Sequence, residues 1–220
     1  MTTSNGVNLG LLIIFITLLG YIGNWINWRY LNYKLTHLLY FIGAFVHETS
    51  HALACLLTGA RITEYNIFSR QPRVVYSPNP RLPLIGRLLI SLAPLIGGLL
   101  FLFLINHYWL SGYFNLPQVS DWRDIPLIPL GLLSQINLLG WQSWVMILLF
   151  LNVGAMIGPS VKDLKNIWPV FPVFFFVKSP LFVNFAFLVI GLILTNIIIQ
   201  FFLILLINLI KIVKKIYHFS

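Results

Sequence analysis

Apolar runs of helix-spanning length dominate the chain, with short polar breaks between them. Residues 8–27 form an uncharged run long enough to cross roughly 30 Å of hydrocarbon as a helix. A second run covers 36–57 and is apolar except for a polar cluster in its middle and end, and Thr58-Gly59 supplies a helix stop. Residues 60–82 change character: they hold four Arg and alternate apolar with polar around Ile62, Tyr65, Ile67, Val74 and Tyr76. That alternation predicts one or two short strands at the membrane surface, limited by Pro72, Pro78 and Pro80.

A third span is expected at about 83–109, interrupted by Pro94 and Gly97-Gly98, and a further one at about 141–158. Residues 125–140 are short and broken by proline, so a re-entrant segment is the expectation there. The stretch PVFPVFFFVKSP is short, apolar and flanked by prolines, its aromatic run Phe171–Val177 reading as a lipid-facing surface or a hydrophobic plug, while PSVKDLKN before it reads as a polar link. The last run, 181–210, is longer than a membrane core needs and must tilt, project or break near Gly191. The pattern predicts an all-α polytopic membrane protein with about five to six transmembrane helices and a short β segment at the membrane surface. The whole chain, 1–220, is expected to be a single transmembrane domain.

Composition agrees. Hydrophobic residues make up 59% and charged residues 9%, against about 25% charged in a soluble domain. Apolar surface on that scale excludes both a soluble globular fold and intrinsic disorder. The formal charge is +9, but the basic residues lie mostly between or beyond the apolar runs. Anionic lipid headgroups attract them there, so the lipid bilayer rather than nucleic acid is the expected partner. Cys55 is the only cysteine, so no internal disulfide forms.

With five acids and five His in 220 residues, each is conspicuous, and three stand together as His47-Glu48-Thr49-Ser50-His51. At this composition an H-E-x-x-H arises by chance about 0.001 times. Ionisable groups in a membrane helix also cost several kcal/mol unless paired or metal-bound. Four residues advance a helix by about 400°, so His47 and His51 project from one face and can aim a nitrogen each at one Zn²⁺. Glu48 sits about 100° round, placed to take a proton from the attacking water and return one to a leaving amine. The plain alternative is two buried histidines hydrogen-bonded to Glu48 with no metal.

H-E-x-x-H in a transmembrane helix, then a surface strand segment, then an Asp after a later span, resembles the site-2 protease family of intramembrane zinc metalloproteases. In that family the third ligand is an Asp following an N-x-x-P segment. The resemblance assigns Asp163 as third ligand through Asn152, Pro159 and Asp163, which stand in the family's order. Asp163 lies eleven residues after Asn152, beyond the usual spacing, and Leu164 follows where the family has Gly. The resemblance implies a zinc-dependent endopeptidase cutting membrane-embedded protein segments.

Direction supports Asp163 separately: if the 36–57 and 141–158 helices run parallel, all three ligands fall near one membrane face. Asp121 and Asp124 then lie across the membrane, as solvated loop acids. Asn152 is a candidate to bond a substrate carbonyl, or else a plain interhelical contact. Ser91 to Gly98 reads as a helix break with room for close packing that could also line the cleft. Cys55 reads as a small buried thiol, His107 as part of an aromatic belt, and His37 and His218 as interfacial groups. The rival class is a non-catalytic membrane protein, a transporter or scaffold retaining a metal site.

Overall fold

The computed structural model describes residues 8–30, 33–67, 69, 72–77, 83–119, 121–158 and 160–217. Pro78, Pro80, Pro159 and His218 lie outside them, and nothing of the His37 side chain is described. The protein is mostly helical, with seven α-helices and one two-stranded sheet among the described residues. They are α1 (Leu9–Tyr30), α2 (Tyr33–Thr58), β1 (Ile62–Asn66), β2 (Arg73–Tyr76), α3 (Pro83–Leu104), α4 (Leu127–Ser134), α5 (Trp141–Asn152), α6 (Val161–Ile167) and α7 (Pro180–Tyr217).

Among the described residues, three helices are long and apolar enough to cross a membrane: Leu9–Asn27, Pro83–Trp109 and Pro180–Lys215. Length and apolarity thus account for three of the expected five to six spans. Helix α2 has the length, at 26 residues, but its polar cluster dilutes its apolar character. The α5 segment is shorter, breaking at Asn152 into a 3-10 turn, Gly154–Met156. Residues 125–140 supply only the eight-residue α4, too short to span, and Trp168–Phe175 is a 3-10 helix. Helix α7 does not break at Gly191. Its 38 residues run on unbroken, about 57 Å at 1.5 Å per residue, well past a hydrocarbon core. Gly191 instead lets Ile128 of α4 lie against the helix, since a Cβ there would strike the Ile128 side chain.

Large apolar side chains stand exposed along these helices, among them Leu11, Phe15, Leu100, Phe103, Phe201 and Leu205. An apolar exterior on this scale suits lipid rather than water. The interior is apolar too, built around Phe187, Val189 and Ile190 of α7, Ile128 and Leu132 of α4, and Leu149 and Phe150 of α5.

Helix α2 ends where the sequence predicts. Gly59 adopts φ 72°, and the Ala60 and Gly59 amides return to the Cys55 and Leu56 carbonyls at 2.9 and 3.3 Å. This doubly bonded left-handed cap satisfies carbonyls that would otherwise be orphaned in an apolar setting. The chain then forms the β1–β2 antiparallel hairpin, with Tyr65 opposite Val74 and Ile62 opposite Tyr76. A charge-assisted bond from Arg73 to Glu64 (2.9 Å) joins its strands, and Tyr65 Oη lies 3.0 Å from Thr49 Oγ1 on α2. The hairpin is thereby laid over the polar cluster of α2.

Helix α2 packs against α3 on one side and α5 on another. Both contacts depend on missing side chains. A Cβ at Gly97 would overlap Ser50, and a Cβ at Gly43 would overlap the Asn152 carbonyl. Such close approach of backbones is how membrane helices gain packing without a hydrophobic driving force. Along α2, Gly43 meets Asn152, His47 meets Met156 and His51 meets Asp163, so α2 and the α5–α6 segment run parallel.

Candidate metal centre

His47 and His51 stand one turn apart on α2, with ring centroids 4.9 Å apart at 80°. Each imidazole is held by a main-chain carbonyl: His47 Nδ1 donates to Met156 O and His51 Nδ1 donates to Ile90 O, both at 2.8 Å. A carbonyl accepts only, so Nδ1 carries the proton in each ring and Nε2 is left as the ligating nitrogen. This backbone tether, which fixes both tautomer and ring orientation, is the usual support of a metal-ligating histidine.

Asp163 arrives from α6. Ser160 caps that helix reciprocally: its Oγ accepts from Asp163 N at 3.3 Å, while Asp163 Oδ2 accepts from Ser160 N at 2.8 Å. One carboxylate oxygen is thus committed to the cap. The other, Oδ1, lies 3.4 Å from His51 Nε2, and Asp163 and His51 are both buried. The ligand atoms of His47, His51 and Asp163 all lie within 4.8 Å of one another.

With Nδ1 protonated, the His51 Nε2 lone pair faces a carboxylate oxygen. Two acceptors at this distance need a proton or a cation between them. Two donors on one tetrahedral zinc at about 2.1 Å stand about 3.4 Å apart, which matches the His51–Asp163 separation. Two imidazoles and one carboxylate are also a donor set that zinc takes in hydrolases. The residues present fit the ion.

The bonds made by the two Nδ1 atoms differ from the alternative of histidines bonded to Glu48. The Nδ1 atoms go to backbone carbonyls, and Glu48 Oε2 accepts from Val74 N of β2 at 2.8 Å. Glu48, His47, His51 and Asp163 all line one cavity of about 640 Å³. Its remaining wall comes from β2 (Arg73–Tyr76), Arg87 of α3, and Ser160, Lys165 and Asn166 around α6. Tyr76 bridges the two sides, its Oη accepting from Asn166 Nδ2 at 3.1 Å. Burial pushes the Tyr76 phenol above its ordinary pKa, the Asp163 carboxylate adds to the rise, and the Asn166 bond offsets part of it.

Other candidates fall elsewhere. Asn152 is buried, donates to Leu148 O at 2.9 Å, and is not among the residues lining the cavity; its carbonyl meets Gly43 in the α2–α5 contact. The Ser91 to Gly98 segment does not line the cavity either: Gly97 lies against Ser50 and Gly98 against Ile157. Cys55 is fully buried among Ala54, Ala60, Ile90 and Ala93. Asp121 and Asp124 cap a short 3-10 turn reciprocally, and His107 stacks on Phe103.

The sequence reading missed four supports: the Met156 and Ile90 carbonyls, the Val74 amide and the Ser160 cap. Two had a visible signal. Ser160-x-x-Asp163 is a capping-box pattern, and Pro94 announces a carbonyl without its helical donor four residues earlier.

A family model described as Peptidase M50B-like matches residues 17–113, from α1 through α3, with the His47–His51 segment inside it. The chain is similar to that family over this stretch, which makes up less than half of its length. Asn152 and Asp163 lie beyond the matched residues. Comparison with curated proteins and with solved structures gives no significant match.

Proposed function

We propose that this protein is a multi-pass, zinc-dependent intramembrane endopeptidase acting on membrane-embedded protein segments. The observation that carries the reading is the convergence of His47, His51 and Asp163, with Glu48 on the same cavity wall. His47 Nε2, His51 Nε2 and Asp163 Oδ1 would hold the ion, which when bound supplies Lewis-acid polarisation of the scissile carbonyl and an acidified water.

The chain's own residues do the rest. The Met156 and Ile90 carbonyls hold the two imidazoles in one tautomer. The Ser160 cap fixes the Asp163 carboxylate. Glu48 takes the proton from the attacking water and delivers it to the departing amide nitrogen, and the Val74 amide sets where its carboxylate points.

The cavity answers the other requirement, since hydrolysis in a bilayer needs a space through which water can reach the ionisable side chains that line it. The bond to be cut must also leave its helix, because a helical amide is hydrogen-bonded and shielded. Helices weakened near the cut by Gly, Pro or Asn are therefore the proposed substrates. Edge pairing with the hairpin would hold the unwound segment.

Glu48→Gln separates this reading from a metal-binding scaffold or transporter. With a transmembrane reporter in liposomes, the variant keeps stoichiometric zinc and loses cleavage. Cleavage at the wild-type rate would overturn the assignment of Glu48. A wild-type protein that carries zinc and moves ions without cutting any reporter would overturn the protease reading.

A further inference from the structure

The carbonyl that holds His51 belongs to the middle of a helix, where carbonyls are ordinarily spent. In α3 the Ile90 oxygen should accept from the amide four residues on. That residue is Pro94, which has no N–H to give. The His51 imidazole takes the vacant acceptor at 2.8 Å, and Ile90 itself is fully buried. The other imidazole follows the same logic by a different route. Met156, the acceptor for His47, ends the short 3-10 turn after α5, where helical carbonyls run out of donors.

We propose that Pro94 is a positioning residue for the metal centre: by withholding an amide from Ile90 it frees the carbonyl that fixes the tautomer and direction of His51. This rests on His51 being a metal ligand, as argued above. Three further observations agree. Pro94 is buried inside α3 and does not line the cavity, so it acts through His51 and not on substrate. Gly97 brings α3 against Ser50, the neighbour of His51, which lets the carbonyl reach the ring. An apolar setting offers no water to replace the missing donor, so the imidazole and the Ile90 carbonyl satisfy each other.

Pro94→Ala returns the amide, which then competes with His51 for Ile90. Zinc affinity, read by chelator competition, should weaken roughly 10- to 100-fold, the usual effect of losing an outer partner of a ligand. The metal-free protein should melt no lower than wild type, because the change adds a helical bond and a better helix former. A second variant separates the added donor from the lost ring. Lactic acid at position 94, introduced as an ester, has neither ring nor N–H and should restore zinc affinity to within about threefold of wild type.

Pro94→Ala binding zinc as tightly as wild type would overturn the proposal. So would equal weakness of the Ala and lactate variants, which would assign the effect to the ring. If the wild-type protein binds no zinc, or His51→Ala binds it unchanged, the metal centre itself is wrong. If His51→Ala loses zinc while Pro94→Ala does not, only the role of Pro94 fails.

Discussion

The Val74 amide of β2 donates to Glu48 Oε2 on α2 at 2.8 Å, so the hairpin and the helix that carries both histidines meet at the group that would move the proton. Val74 turns this amide away from β1, toward the cavity. Proline at 74 deletes the donor while keeping an extended backbone. Val74→Pro should retain zinc and lose up to about 100-fold in kcat, as expected when a reacting group is misplaced by about an ångström. Steady-state kinetics with zinc analysis on the same sample checks it; an unchanged kcat counts against the role given to this amide.

The α2–α3 contact should be intolerant of size. A side chain at Gly97 has to displace Ser50, inside the segment that carries both histidines. Gly97→Val should destabilise the protein by about 1–3 kcal/mol, the common cost of overpacking, and weaken zinc binding with it. Denaturation in detergent micelles, with and without zinc, measures both effects. A variant as stable as wild type would mean that α3 does not sit where described.

Cys55 is one turn past His51 but buried in a small apolar cluster away from the cavity. Cys55→Ser should leave zinc content and cleavage near wild type. The native thiol should also resist alkylation until the protein unfolds, which mass spectrometry of iodoacetamide-treated protein reports. Loss of zinc in this variant would place the thiol in the centre after all.

Metal and stability should be linked. A ligand that binds only the folded state stabilises it by about 2.7 kcal/mol at roughly 100 times its Kd. Chelation with phenanthroline should lower the melting temperature and abolish cleavage, and zinc should restore both. The His47→Ala variant should melt at one temperature whether zinc is present or not.

Much of the site was legible in the sequence because it is local. H-E-x-x-H places two imidazoles and a carboxylate by helix geometry alone, and the stop at Gly59 and the alternation over 62–76 carry their own physical signals. Asp163 was reachable only through a resemblance and a direction argument. The structure agrees with the direction: α2 and the α5–α6 segment run parallel, and Asp163 Oδ1 reaches His51 Nε2. The polar PSVKDLKN stretch hid its helix because the capping pattern at Ser160 went unread, so α6 appeared as a link.

Other features could not be read locally. Counting apolar runs predicted five to six spans, of which length and apolarity pick out three among the described residues; α4 is too short to cross, and the polar cluster dilutes the apolar run of α2. The support of His51 by Ile90 joins two helices distant in sequence. Only its cause, Pro94, was visible, and it read as a break until its partner was known.

Zinc quantitation on purified wild-type protein and on Asp163→Ala, with cleavage measured on the same preparations, tests the central claim most directly. Wild type should hold stoichiometric zinc, and Asp163→Ala should lose the metal and the activity together. An Asp163→Ala protein that keeps both would contradict the three-ligand centre.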